Sequence, residues 1–471
     1  MTEKELSIKE KVLFSTSSFP DQLTYQAFTI YVFTFYFAVV GLTMMELWIG
    51  FILWGIWNMF NDPLLGALSE RTKQKGKLGK RKLYLIISFV PLALMMVLLY
   101  TVPVNFEFAY FIFIIFTFEF SYTMFSVNTN AVFPEMFPTV KQRADVNMFL
   151  KSFTMIAVII ASLVPTFVIS PLVPDPTDAI PDAIEAAAIK PMYITAGIIL
   201  FIIVLIMSIL FIFFSVKEKE EDSSVFEKRP GFFKSLKVTF SNKTFIKFTL
   251  GNMLIWYCFN LILTVFPLYA FHILGYDQGA LMIGVTLMIG LLSAAIFMPV
   301  QIRIRAKFGT RKGLMIGLGI WIITLFPLIL LSDNAISRTL AMVIFFTIGF
   351  GLSAALFYID ILHGDVIDED ALKFGVKRAA SYYGVNAFIH RFSTILGITT
   401  IAIIFSGTGW SEYESILDPT LRDLGLKALI FLFPAIALIG AIFFFRAYGL
   451  HGQRLENMRK QIEEHPELKP E

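Results

Sequence analysis

Long apolar runs recur through the whole chain, and short segments between them carry most of the charge. The hydrocarbon core of a bilayer is about 30 Å thick, so a helix needs roughly 20 apolar residues to cross it. Runs of this length predict an all-α membrane protein, and the hydrophobic content of 56% is above that of soluble domains. The twelve predicted spans are 12–40, 46–70, 82–103, 107–133, 146–170, 192–216, 245–273, 279–303, 313–332, 337–363, 381–407 and 424–447.

The basic residues divide the loops into two classes. Lys and Arg collect in alternate loops, whereas the opposite side carries only Lys190, Arg338, Arg422 and Lys427. Because basic loops stay on the cytoplasmic side, this bias predicts a multi-pass cell-membrane protein with both termini in the cytoplasm. The loop 171–191 is acidic and rich in proline, and we expect it to be extracellular with little regular structure.

A long polar segment divides the predicted spans into six and six. The basic loop SERTKQKGKLGKRK after the second span resembles RIRAKFGTRK after the eighth. Weak repetition of this kind is typical of two pseudo-symmetric six-helix bundles around a central path, the major facilitator fold. We predict an N-terminal bundle at 1–216, a cytoplasmic linker at 217–243, a C-terminal bundle at 244–447 and a cytoplasmic tail at 448–471.

The sequence offers little support for catalysis. Cys258 is the one cysteine, so neither an intrachain disulfide nor a cysteine metal site can form. The five histidines are scattered, and no phosphate-binding loop motif occurs. We therefore expect a transporter and not an enzyme, with no cofactor beyond a co-transported Na⁺ or H⁺. The expected partners are a small-molecule substrate, a coupling cation and the bilayer, without nucleic acid, and we expect a monomer.

The second span carries the strongest candidate for a cation site. Trp54, Asn58 and Asp62 are spaced i, i+4, i+8 and therefore share one helix face, with Asn61 beside it. Pro63 removes a backbone donor and so leaves a carbonyl free one turn earlier. Carboxylate, amide and carbonyl oxygens are ligands that a small hard cation such as Na⁺ uses. The alternative is a polar cluster that serves only helix packing.

Other polar residues inside the spans are candidates for substrate binding, because a charged or polar group in the bilayer is costly. In the N-terminal half, Asp21 is also a candidate cation ligand. In the fourth span, Glu119 lies on one stripe with the candidates Tyr122, Ser126 and Asn130, and the alternative role of Ser126 and Asn130 is hydrogen bonding to neighbouring helices. In the fifth span, the alternative to a substrate role for Lys151 is that its side chain extends to the cytoplasm. The substrate candidates of this half are Asp21, Tyr25, Tyr122, Ser126, Asn130 and Lys151.

The C-terminal half adds candidates from the seventh and eleventh spans. Trp256 and Asn260 share a face of the seventh span, for which packing is the alternative role. The segment SYYGVNAFIHRFS of the eleventh span contributes Asn386 and Arg391. An Arg391 that faces the interior needs a carboxylate from another span, and Asp62 or Asp21 are available. The neighbouring His390 points about 100° away along the helix and is expected to be a packing residue.

Three segments together resemble a known family. They are NDPLLGALSERT followed by GKRK, PEMFPTVKQRADVNMFLK, and KRAASYYGVNAFIHR. In this order they resemble the glycoside–pentoside–hexuronide:cation symporters, the melibiose-carrier-like branch of the major facilitator superfamily. The resemblance covers both halves of the chain and implies cation-coupled symport by alternating access.

The resemblance also implies roles for individual positions. Asp62 matches the cation-binding Asp of the family's Asn-Asp-Pro motif, and a second carboxylate of sodium-coupled members falls at Asn58. Asp21 lies close to the sugar-binding Asp of the first span. The family's sugar-binding Asp of the fourth span falls at Ser126, and its neighbouring Trp falls at Asn130. The sugar-binding Arg of the fifth span falls at Lys151. The basic residue of the eleventh span that links the cation and sugar sites falls at Arg391.

Several of these positions depart from the family pattern, among them Asn58, which stands where sodium-coupled members have a carboxylate. Ser126 replaces a carboxylate and Asn130 replaces a stacking Trp, which removes much of the expected grip on a disaccharide. The same branch contains lysophospholipid carriers, so a lysolipid or other amphiphile is the alternative substrate. A sensor that binds without transporting is a further alternative. The substrate, the coupling ion and the direction of transport stay open at this point.

Overall fold

The structure is a computed structural model that describes residues 7–72, 79–137, 140–174, 182–217, 241–276, 280–374, 379–413 and 419–464. The regular secondary structure of the described chain is helical. In chain order, helices α1 to α15 are Ile8–Ser15, Thr24–Thr34, Met44–Arg71, Lys80–Leu98, Glu107–Met136, Val140–Val168, Asp182–Phe214, Lys243–His272, Ala280–Phe308, Thr310–Leu325, Ala335–Phe374, Ala379–Gly407, Pro419–Lys427, Phe433–Arg446 and Gln453–Glu464.

Ten helical segments of the described chain are long and apolar enough to cross a bilayer. The second predicted span, 46–70, lies within α3, which is 28 residues long. The first predicted span, 12–40, is not one regular helix, because π-helical segments at Phe19–Leu23 and Phe35–Val39 flank α2. Single π-helical turns are often found at functional sites, and the first of these contains Asp21.

Loop 171–191 is more regular than the sequence suggested. Helix α7 begins at Asp182, so the expectation of little regular structure is wrong for the second half of this loop, from 182 to 191. The segment from 183 to 190 reads AIEAAAIK, and Ala, Glu and Lys are strong helix formers. High helix propensity therefore outweighs the polar and proline-rich context of the loop, whose residues 175–181 lie outside the described chain.

The described residues form two compact units. The first unit takes its residues from Met1–Asp222, Phe266–Met288 and Ala402–Asp423, and the second takes them from Ser223–Val265, Ile289–Ile401 and Leu424–Glu471.

Close helix pairs set the geometry within each unit. In the first unit, Gly50 of α3 lies directly against the ring of Phe111 on α5, where a Cβ atom would not fit. In the second unit, Gly317 of α10 faces Ala354 of α11 in the same manner. Small residues let helix backbones approach closely within a membrane. The pairing of α3 with α5 brings the polar face of α3 against a neighbouring helix.

Candidate cation and substrate sites

The polar face of α3 is buried against α5. Trp54, Asn58 and Asn61 are 3%, 1% and 0% exposed. The indole Nε1 of Trp54 donates to Oε2 of Glu119 at 3.0 Å. Two turns further along α3, Nδ2 of Asn61 donates to the backbone carbonyl of Glu119 at 3.2 Å. Two positions of α3 therefore contact one residue of α5.

Glu119 is a carboxylate inside a membrane-spanning helix. Glu119 is fully buried, and its Oε1 accepts a hydrogen bond from Oγ1 of Thr123 at 3.2 Å. From the sequence, Glu119 falls on the stripe with Tyr122 and Ser126 but carries no assigned role. The sequence could have pointed to a role for Glu119, because a carboxylate inside a span is costly. Only the pairing of α3 with α5 shows which residues Glu119 contacts.

The amides of α3 hold polar atoms that lack partners. Within the described chain, Oδ1 and Nδ2 of Asn58 and Oδ1 of Asn61 are buried without a hydrogen bond. Buried polar atoms are normally satisfied, so unpaired ones call for a ligand, a water or a functional reason. Asp62 follows Asn61 in α3, but its side chain lies outside the described part of the structure. Its role as a cation ligand stays a prediction.

Asp21 lies in the π-helical segment before α2 and is half-buried. Its Oδ2 accepts a hydrogen bond from Nε2 of Gln22 at 2.7 Å. Its Oδ1 is buried and has no hydrogen-bond partner in the described chain. Pro20 precedes Asp21 and lacks a backbone donor, which favours irregular backbone here. Asp21 thus keeps one carboxylate oxygen available for a ligand.

An aromatic ladder connects α2, α5 and α3 in the first unit. The rings of Tyr25 and Tyr122 are 5.1 Å apart, and Tyr122 stacks on Phe118 at 6.0 Å. Phe118 stacks on Phe28 at 4.4 Å, and Phe28 packs on Trp54 at 5.5 Å. The ladder therefore runs from the substrate candidates Tyr25 and Tyr122 to the residue that bonds Glu119. The members come from three separate spans, so sequence spacing alone could not reveal it.

The remaining candidates of this unit are more open. Asn130 is exposed, and its Nδ2 lies 3.4 Å from Oγ of Ser126 as a donor. Lys151 is exposed on α6. The structure therefore pairs Tyr25 with Tyr122 and Ser126 with Asn130. The substrate roles of all these residues stay predictions.

In the second unit, the candidates lie where α8 packs on α12. Oδ1 of Asn386 accepts from Oγ1 of Thr249 at 2.9 Å and from Nδ2 of Asn252 at 3.2 Å. Nδ2 of Asn260 is 3.5 Å from Oγ of Ser393. The carbonyl of Asn386 is thus already used in joining two helices, which leaves its amide nitrogen for other contacts.

Two further side chains of this region were singled out in the sequence. The ring of Trp256 packs edge-on against His390 at 5.1 Å, as expected for a packing histidine. Arg391 is half-buried on α12. Its pairing with Asp62 or Asp21 stays a prediction.

Comparison with known proteins places these features in a family. A family model described as MFS/sugar transport protein matches residues 13–452. A putative sulfoquinovose importer of Salmonella typhimurium is 23% identical over 475 residues, which covers 97% of this chain and 93% of the relative. A sodium-dependent lysophosphatidylcholine symporter 1 of Xenopus tropicalis is 26% identical over 275 residues. This second match spans 57% of the chain and half of the relative.

The fold is also found among solved structures. The crystal structure of the nucleoside transporter NupG superimposes with a TM-score of 0.65 at 13% identity. The match covers 94% of this chain and 100% of NupG, so it supports the fold alone. Because the family model covers nearly the whole chain, the protein belongs to the MFS/sugar transport protein family.

Proposed function

We propose that this multi-pass membrane transporter is a cation-coupled symporter of a sugar, glycoside or related small organic solute. It works by alternating access, with twelve spans arranged as six-helix bundles at 1–216 and 244–447. The observation that carries the proposal is the buried polar face of α3, with its unpartnered amide oxygens, in a member of a sugar transport family. Such a face inside a span is costly unless it serves an ion or a substrate.

The coupling cation, Na⁺ or H⁺, is taken by Asp62 with help from Asn58 and Asp21. The free Oδ1 of Asp21 and the unpaired Oδ1 of Asn58 support this assignment. The substrate path uses Asp21 with the tyrosines of the aromatic ladder, and Ser126, Asn130 and Lys151 from the same half. The other half contributes Trp256, Asn260, Asn386 and Arg391.

The aromatic ladder supports coupling between the two sites. Because protein interiors are close-packed, displacement of one stacked ring strains its neighbours. A substrate that displaces Tyr25 or Tyr122 therefore pushes through Phe118 and Phe28 on Trp54. Trp54 in turn holds the carboxylate beside the proposed cation site. An ion pair of Arg391 with Asp62 or Asp21, formed when the cation has left, adds a second link.

A sugar is the substrate class that the family description favours. The relative named a putative sulfoquinovose importer aligns along 97% of the chain, and the family description is sugar transport. An amphiphile such as a lysophospholipid is the second candidate, favoured by the matches to sodium-dependent lysophosphatidylcholine symporters, one of which, from Danio rerio, spans 99% of this chain at 21% identity. The aromatic ladder suits either an apolar chain or the CH face of a sugar ring.

The proposal includes the setting of the protein. It lies in the cell membrane as a monomer. Both termini are in the cytoplasm, because the basic loops alternate along the sequence. The substrate and the coupling cation are its partners, and it needs no cofactor.

Uptake into proteoliposomes tests the proposal. Radiolabelled sugars and lysophospholipids are offered under an imposed Na⁺ or H⁺ gradient, so that one panel separates both substrate classes and both ions. We expect one class to accumulate against its gradient in the wild type. Asp62→Asn should abolish accumulation, whereas Glu107→Gln, at the first turn of α5, should not. Gradient-driven uptake that is unchanged in Asp62→Asn would disprove the cation assignment.

A further inference from the structure

The loop 408–413, which follows α12, is docked inside the first unit instead of lying at the surface. Trp410 and Tyr413 are 1% and 2% exposed, although loops usually run over the surface of a protein. The backbone N–H of Met44, at the start of α3, donates to the carbonyl of Ser411 at 2.8 Å. The loop is therefore held by burial and by a hydrogen bond to the N-terminal half of the sequence.

One hydroxyl of this loop joins three segments of the chain. Oη of Tyr413 donates to the carbonyl of Pro174 at 2.8 Å, and Nε2 of His272, the last residue of α8, lies 3.3 Å from the same oxygen. The hydroxyl gives its single proton to Pro174, so we assign Nε2–H of the imidazole as the donor of the second bond. Nε1 of Trp410 donates to the carbonyl of Tyr413 at 3.2 Å and so fixes the shape of the loop.

Aromatic rings surround Trp410. The ring of Phe37, in the π-helical segment after α2, lies 5.3 Å from that of Trp410 and 5.7 Å from that of Tyr413. Phe405, in the last turn of α12, packs 4.5 Å from Trp410, and His272 lies edge-on to Trp410 at 5.3 Å. Tilted and edge-on contacts of this kind stabilise aromatic pairs. We call Phe37, His272, Phe405, Trp410 and Tyr413 the Trp410 latch.

A second close contact of the first unit lies where α9 begins and α6 ends. A Cβ atom at Gly284 of α9 would clash with Oγ1 of Thr166 and would lie 2.7 Å from the backbone carbonyl oxygen of Ser162. A backbone atom cannot rotate away as a side chain can, so this approach requires glycine. The carbonyl of Ser162 also accepts a hydrogen bond from Oη of Tyr31 at 2.6 Å. Like the Trp410 latch, Gly284 brings the C-terminal half of the sequence against the N-terminal half.

We propose that the Trp410 latch and the contact at Gly284 hold the extracellular mouth of the transporter closed, and that opening of the latch admits substrate from outside. Both features lie next to loops that carry few basic residues, which the charge bias assigns to the extracellular side. Alternating access requires contacts at this side to break and re-form in every cycle. Hydrogen bonds and ring contacts suit this task, because they break without the cost of separating a buried ion pair. The inference deepens the proposed function and rests on it for the orientation and for alternating access.

Chemical labelling from outside the cell tests the inference. Thr29 of α2 is half-buried and lies in the chain between Tyr25, a proposed substrate residue, and Phe37 of the latch. The full-length Thr29→Cys protein, with Cys258→Ser to remove the native thiol, is the parent. It is labelled in spheroplasts with a membrane-impermeant thiosulfonate, and we expect slow labelling while the latch is intact. Tyr413→Phe keeps the ring and removes the hydroxyl, so it should label at least about threefold faster.

Two further variants complete the series. Gly284→Ala adds the methyl group that the contact with α6 excludes, so it should also label faster than the parent. It keeps the inference testable if Tyr413→Phe does not fold. Tyr193→Phe is the matched control, because Tyr193 is likewise buried and donates at 2.9 Å to the carbonyl of Leu172, within the N-terminal half of the sequence. It should label at the rate of the parent.

The native Cys258, fully buried on α8, reports any loosening of the whole fold. When Thr29 and Cys258 are both retained, labelling should be equally slow with and without Tyr413→Phe. Faster labelling of Cys258 in Tyr413→Phe would overturn the inference, and so would an acceleration by Tyr193→Phe as large as that by Tyr413→Phe. Parent-like labelling of both Tyr413→Phe and Gly284→Ala would overturn it as well.

Labelling requires neither substrate nor a cation gradient, so it separates this inference from the proposed function. Labelling as expected in a protein without cation-driven uptake would contradict the proposed coupling and support the latch. Cation-driven uptake with unchanged labelling in the latch variants would overturn the latch and leave the proposed function standing.

Discussion

The C-terminal helix α15 is held on the end of α11 by two ion pairs. Arg454 pairs with Glu369, and Nη2 of Arg459 lies 3.1 Å from Oδ1 of Asp365. Met458 is 5% exposed, so an apolar contact accompanies the two pairs. Replacing each arginine by alanine therefore tests how firmly this helix is docked.

The two substitutions should differ in size. The guanidinium of Arg459 is 46% exposed but the carboxylate of Asp365 is only 8% exposed, so the pair lies between a surface and a buried one. Exposed pairs contribute about 0.2–1 kcal/mol and hydrogen bonds to charged groups about 1.5–3 kcal/mol, so we expect Arg459→Ala to cost about 2 kcal/mol. Arg454→Ala should cost only about 1 kcal/mol. The reason is that Nζ of Lys373 lies 3.6 Å from the same Glu369 oxygen and remains as a partner.

Hydrogen exchange of the α15 amides measures this local opening directly. A loss of about 2 kcal/mol corresponds to roughly 30-fold faster exchange when α15 detaches without global unfolding. Arg338→Ala is the control, because Arg338 lies in the first turn of α11 and pairs with Asp333 at 2.5 Å, at the opposite end of this helix from Asp365 and Glu369. Equal acceleration in Arg454→Ala and Arg459→Ala, or a larger effect of Arg454→Ala, would refute the reasoning. High salt should reduce the difference in exchange rate between the Arg459→Ala and Arg454→Ala variants, since exposed charges are screened.

Two further predictions concern the membrane-spanning region. Phe118→Leu breaks the stacking between Tyr122 and Phe28, so we expect the effect of substrate on cation affinity to fall at least about threefold while each ligand still binds alone. Titration of the cation with and without substrate measures this, and an unchanged ratio would show that the ladder carries no coupling. Asn386→Ala removes the acceptor of Thr249 and Asn252 and should destabilise the protein by about 1–2 kcal/mol. Thermal unfolding measures the loss, and an unchanged Tm would mean that the bonds contribute little.

The course of the helices follows from local sequence. An apolar run of sufficient length has one favourable conformation in a bilayer, because its backbone must satisfy its own hydrogen bonds. The second predicted span accordingly falls within α3. Hydropathy did not predict the helical end of the loop 171–191. The loop begins with a proline-rich segment, but its alanine-rich end is helical and extends α7 back to Asp182.

Contacts between helices depend on how each helix is rotated against its neighbours. Spacing placed Trp54 and Asn58 on one face and Glu119 on a stripe of α5, but it could not show that these surfaces meet. Asn386 illustrates the same point, because the sequence shows only a polar residue in a span and the structure adds its two donors on α8. The rotation of a helix about its axis is set by packing and not by hydropathy. The close contact of Gly50 with the ring of Phe111 is one example.

Cation coupling at α3 is the central claim, and substrate-evoked current tests it most directly. Proteoliposomes adsorbed on a solid-supported membrane receive a neutral sugar in the presence of Na⁺ or at acidic pH. Symport of a neutral solute with a cation moves net charge, so we predict a transient current in the wild type that requires one of the two ions. Asp62→Asn should lose this current. A wild type that takes up sugar without current, or an Asp62→Asn variant with undiminished current, would contradict the account.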